Sequence, residues 1–188
     1  MRERKFRRSG LSFARRGPGD IIQVVAFQKH PLNTAEHLGF WVNAGVWSAR
    51  LAEIVDRTWG VPQARPPSVH GCQWRLAHSD MMAEEYEAFG AKTSASIYWT
   101  IHPDHEPGDL AGLAATVRQR LAERAIPAVE AMSSETALRD VLLAATGSTF
   151  GVQLQAKLAY ELVKMHGPRE RLPELEATMR GEPWPPRS

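Results

Sequence analysis

Residues 21–47 read IIQVVAFQKHPLNTAEHLGFWVNAGVW. Two apolar runs flank a polar connection that contains a proline. The first run, 21–29, is rich in Ile, Val and Phe and largely apolar on both sides of a two-residue repeat, which predicts a central strand. In the second, 38–47, Phe40, Val42, Ala44 and Val46 share one face, and Trp41, Asn43, Gly45 and Trp47 share the other. Each run carries an amide, Gln28 in the first and Asn43 in the second. Burying such a group without partners costs about 1–3 kcal/mol, so both should be hydrogen-bonded or lie at a strand end. Two readings follow. The amides bond to loop backbone and pin the 30–37 connection, or they form a polar patch with Arg75, edged by Trp41, Trp47 and Trp99. For the tryptophans alone, core packing is the simpler reading.

Working outward, LSFARR at 11–16 is a short strand, closed by turn residues GPGD at 17–20. CQWRLA at 72–77 is a weak strand, and ASIYWTI at 95–101 is the next strand. Ser48 caps a helix that runs to about Thr58 and stops at Gly60, and a proline-rich loop fills 61–71. Ser79 caps a helix over 80–89. Beyond residue 108 the pattern turns helical. Asp109 caps a stretch with Leu110, Leu113, Val117 and Leu121 at helical spacing, and Ser134 caps another through Ala145. Further helices cover 152–166 and 173–180. Strands followed by helices predict an α+β fold, with a mostly antiparallel sheet of 11–16, 21–29, 38–47 and 95–101 covered on one face by the C-terminal helices. The expectation is one domain over 1–182 with an irregular tail at 183–188.

The chain has 188 residues, enough for one domain with a real core, and its 43% apolar and 23% charged content is ordinary for a soluble protein. No apolar run is long enough to span a membrane, and the basic N-terminus lacks an apolar segment of the signal-peptide kind. Cys72 stands alone, so an intrachain disulfide is impossible, which fits a reducing cytoplasm. Residues 1–16 hold seven cations against Glu3, leaving the rest of the chain net negative. Such a terminus can contact nucleic acid; the plainer reading is a solvated end.

The order FRRSGLSFARRGPGDIIQVVAFQKH, GFWVNAGVW, CQWRL and YWTI resembles the bacterial domain of unknown function 4304 family (DUF4304), through Phe6, Gln28, Asn43, Gly45, Arg75 and Trp99. The likeness covers roughly 5–145, with looser helical similarity to about 180. Members usually place a helix before the F-R-R segment; Met1 stands just ahead of it here, implying a shortened start or a member without that element. The resemblance implies a fold and no assigned activity.

No motif supplies chemistry. His102, Asp104, His105 and Glu106 are close in sequence, and His70, Cys72 and His78 add donors, but no zinc spacing occurs and Pro103 and Pro107 suggest an exposed turn. No metal, cofactor or catalytic residue is expected. Cys72 near His70 and His78 could be an activated thiolate, or a buried small apolar side chain. Phosphate-binding glycine loops and a nucleophile elbow are missing. The expectation is a non-catalytic cytoplasmic binding protein, of the immunity or antitoxin kind, with candidate binding residues Gln28, Asn43, Arg75 and Trp99. Its partner would be another protein, with nucleic acid at the basic N-terminus a lesser possibility and no membrane. The alternative is an enzyme or nucleic-acid-acting protein with a polar site centred on Arg75.

Overall fold

A computed structural model describes residues 1–18, 20–60, 68–81, 98–144 and 151–183. Its sheet begins as a meander of β1 (Arg7–Ser9), β2 (Ser12–Arg16), β3 (Ile21–Lys29) and β4 (Leu38–Ser48), each antiparallel to the next. Two further strands share the far edge of β4. β5 (Trp74–Leu76) pairs with Ala44–Val46, and β6 (Trp99–Ile101) pairs with Leu38–Phe40. The gap between them is taken by His78, whose Nδ1 accepts the Val42 backbone N–H at 3.5 Å. Among the described residues the six strands are all antiparallel and lie before residue 102, and most of the helices follow, so the fold is α+β. Of the expected 95–101 strand, 95–97 lie outside the described residues.

Ser48 ends β4 and starts helix α1 (Ala49–Trp59), accepting the Leu51 N–H at 3.1 Å. Gly60 closes α1 in the left-handed conformation that glycine adopts without strain. Helix α2 (His78–Met81) starts one residue before Ser79, so Ser79 lies within it and is not its cap. The remainder of the expected 80–89 helix lies outside the described residues.

Helix α3 (Pro107–Arg120) begins ahead of Asp109, which therefore sits at the third helical position, where its carboxylate accepts the Glu106 N–H at 3.0 Å. Proline at the first position is the cause, since it needs no N–H partner there. The helix then widens into a π-helical turn, Leu121–Ala125, with the Ile126 N–H donating to the Leu121 carbonyl, and continues as α4 (Ile126–Ala131). The turn and α4 had no signature in the sequence. Ser134 caps α5 (Glu135–Ala144) by accepting the Ala137 N–H at 3.1 Å. Helices α6 (Val152–His166) and α7 (Leu172–Met179) complete the layer.

Register assigns the two sheet faces. Phe40, Val42, Ala44 and Val46 of β4, with Ile21 and Val25 of β3, turn toward the helices. They join Leu138 and Leu142 of α5 and Leu158 and Leu162 of α6 in one buried cluster spanning both halves of the chain. Val24, Ala26 and Trp47 form a smaller cluster on the other face with Ala52, Val69 and Cys72. Two further amides bind the layers. Buried Gln23 donates to the Val129 carbonyl of α4 and accepts from Arg15 Nε at 2.7 Å. Buried Gln73 accepts the Ser48 N–H at 2.7 Å.

The basic N-terminus is partly folded in. Arg4 and Arg15 converge on Glu130 at 2.9 and 3.1 Å, and the Arg15 guanidinium lies 4.7 Å from the centre of the Phe6 ring. Arg7 and Arg8 of β1 remain exposed.

Candidate binding surface

The amides of β3 and β4 meet on the smaller face. Asn43 Nδ2 donates to Gln28 Oε1, and Asn43 Oδ1 accepts the His78 N–H at 2.9 Å. Gln28 Nε2 in turn meets His70 Nε2, and Arg75 Nη1 lies 3.4 Å from His70 Nδ1. A continuous chain therefore runs Asn43, Gln28, His70, Arg75. Side-chain alternation causes this: Gln28 pairs with Trp41 and Arg75 pairs with Gly45, so all point to one side. Asn43, His70 and Arg75 line a hollow of about 90 Å³. The loop over 30–37 is held by another amide, Asn33, which exchanges two hydrogen bonds with Gly39 at 3.0 and 2.7 Å.

Trp99 does not border this chain. It pairs with Phe40 and is buried on the core face, in a row of aromatic contacts Phe13, Phe27, Phe40 and Trp99 with centroid distances of 6.0, 6.1 and 5.6 Å. Its link to the polar face is indirect, through the His78 ring at 4.6 Å. The neighbouring residue supplies the aromatic side chain on the polar side. Tyr98 stacks on His30 at 4.3 Å, and Trp41 lies 4.9 Å from His30 and 6.4 Å from Tyr98. His37 meets the Tyr98 edge at 5.9 Å and His102 at 4.8 Å, and His102 meets His105 at 5.2 Å. All six of these rings are partly exposed.

Sequence reasoning missed His30, His37 and Tyr98. One glycine, Gly39, signalled Tyr98 and His30, and a second, Gly45, signalled the approach of Cys72. A glycine inside a strand often marks close approach by another group, and Gly39 and Gly45 fall on the same face of β4. A Cβ on Gly39 would stand 2.6 Å from the Tyr98 ring, and one on Gly45 would stand 2.8 Å from both Cβ and Sγ of Cys72.

Cys72 is fully buried and its thiol donates to the Ser68 carbonyl at 3.4 Å. Burial pushes its pKa up to about 12, against a smaller opposing pull from Arg75, so it is not an activated thiolate. Ser48, Glu135 and His166 also meet. Both Ser48 Oγ (2.6 Å) and His166 Nε2 (2.8 Å) bond to the Glu135 carboxylate. The histidine thus contacts the acid and not the hydroxyl, unlike a hydrolase triad, where it bridges the two. Among the described residues no group of three His, Cys, Asp or Glu side chains is placed to hold a metal ion.

Residues 2–106, more than half of the chain, match the family model described as Domain of unknown function (DUF4304). The chain belongs to the DUF4304 family. No curated protein and no solved structure matches it. The DUF4304 match ends at Glu106, the residue before α3. It therefore takes in the six described strands, the amide–histidine–arginine chain and all six partly exposed rings. No described helix is long and apolar enough to cross a membrane.

Proposed function

We propose that this chain is a non-catalytic binding protein of the bacterial cytoplasm, and that it holds a protein partner on the outer face of its sheet. The observation that carries the reading is the partly exposed cluster of Trp41, Tyr98, His30 and His37 beside the Asn43–Gln28–His70–Arg75 chain. Trp, Tyr and Arg are the residue types that carry most binding energy at protein interfaces, through flat apolar area joined to polar edges. The buried thiol of Cys72, held neutral, offers no nucleophile, which weighs against the enzymatic alternative. A partner of the toxin class, as an immunity or antitoxin protein would have, fits a surface that recognises without reacting.

The test is recovery of partners from the native host with the tagged chain as bait. Trp41→Ala is expected to weaken retention by about 2 kcal/mol, roughly thirtyfold, with the melting temperature preserved. Arg75→Ala is expected to do the same to a lesser degree. A stability loss of about 1–3 kcal/mol in Arg75→Ala with retention intact would make the polar chain a structural network instead. Salt-sensitive recovery of nucleic acid, abolished by changing Arg7 and Arg8, would favour the nucleic-acid reading.

A further inference from the structure

The opposite face of the sheet holds a second feature, independent of that surface. Where β3, β4 and β6 end, helix α3 stands off the sheet and leaves a cavity of about 980 Å³. Its floor is the partly exposed middle of the aromatic row, Phe27 and Phe40, continued by Ile101. Its roof is α3, a helix of 14 residues in which only Val117 is buried and Leu110 is 39% exposed. A helix over a sheet normally buries an apolar stripe against it. Here that stripe faces an open volume within the size range of small-molecule sites. The π-helical turn falls at this wall, with Leu121 and Ala122 on the lining, and such turns occur frequently at functional sites.

The lining also includes three exposed guanidinium groups, of Arg2, Arg4 and Arg118, and one carboxylate, of Glu3. Arg4 is held by Glu130, but the guanidinium groups of Arg2 and Arg118 have no hydrogen bond or ion pair among the described residues. An apolar floor with two uncommitted cations is complementary to a molecule that is apolar along its length and anionic at one end. The geometry points to a binding site for a fatty acid, with its chain over Phe27 and Phe40 and its carboxylate at Arg2 and Arg118.

Saturated fatty acids of increasing length, titrated below their critical micelle concentrations, test this on the full chain by displacement of a fluorescent fatty acid. One saturable site per chain is expected, with affinity rising about fourfold per added methylene until the cavity is filled. A fatty alcohol of equal length should bind at least tenfold more weakly. Ala114→Trp, which places an indole on the exposed side of α3 that lines the cavity, should abolish binding while the circular dichroism spectrum and melting temperature stay as in the parent. Arg2→Glu with Arg118→Glu should remove the preference for acid over alcohol. Non-saturable uptake, affinity independent of chain length, or full binding by a folded Ala114→Trp variant would each overturn the assignment. The partner recovery described above does not depend on this site, so the two readings fail separately.

Discussion

At the scale of single residues, Cys72 and Gly45 form one contact with two measurable consequences. Cys72 is protonated in the folded chain to about pH 12, while its ordinary value is 9.0, because burial disfavours the thiolate. Between those values the unfolded chain releases a proton that the folded chain keeps. The stability this contributes is complete below pH 9.0 and is lost as pH rises toward 12, by at most about 1.4 kcal/mol per pH unit. Urea melts in buffers above pH 9.0 should therefore show a steeper loss with pH for the parent than for Cys72→Ala, and thiol reagents should label Cys72 only on unfolding. Gly45→Ala would drive a methyl against Cys72 Cβ, Cys72 Sγ and the Trp74 carbonyl, all within 2.9 Å. A loss of about 1–3 kcal/mol is expected, read as a lower denaturant midpoint with unchanged slope. Gln28 and Asn43 stood out in the sequence as polar intrusions, and both are hydrogen-bonded. That they bond to each other and to His70 was not legible, because the third member comes from a short 3₁₀ turn, Val69–Gly71, distant in sequence.

Elements were legible where the caps were chemical and obscure where the backbone departed from standard geometry. Ser48 and Ser134 carry hydroxyls that accept from the third residue onward, and both helices begin there. The π-helical turn has no such residue to announce it, and Asp109 was displaced from the cap by the proline before it. Ser48 also bonds to Glu135, so it joins α1 to α5. Ser48→Ala should cost about 1–3 kcal/mol, more than a simple cap, because Glu135 loses a partner as well. Glu130 makes the corresponding joint between α4 and the N-terminal segment. Desolvation is the largest single influence and raises its pKa, but the hydrogen bonds and charges of Arg4 and Arg15 together outweigh it and hold the carboxyl below its usual range. The stability it supplies is present above pH 4.5 and is lost as pH falls through its lowered value. Glu130→Gln should flatten the acid limb of the stability profile, measured by melts from neutral to acid pH, while the alkaline limb is unchanged.

At the scale of the whole molecule, the family match and the core do not have the same extent. The match covers 2–106, yet the buried cluster needs Leu138, Leu142, Leu158 and Leu162 to cover Val25, Val42 and Ala44. A fragment of residues 1–106 should accordingly show no cooperative thermal transition and should bind a hydrophobic dye that the full chain excludes. The segregation of strands and helices made the α+β class legible, and the faces of β4 followed from its alternation. The shared edge, with β5 and β6 end to end beside β4, was not legible, since two three-residue strands carry too little pattern to reveal their partners. Strand β4 has a consequence for changes of chain length as well. One of its faces serves the main core, and the other is partly open at Trp41 and Asn43 and covered by the smaller cluster at Trp47. Substitution can change either face alone. Insertion or deletion of one residue inside β4 would exchange them, turning Trp41 and Asn43 into the helices and Val42 and Ala44 to the outside. A one-residue change of length in β4 is therefore expected to cost more than the same change in the loop over 30–37, which can be read from the denaturant midpoints of the two variants.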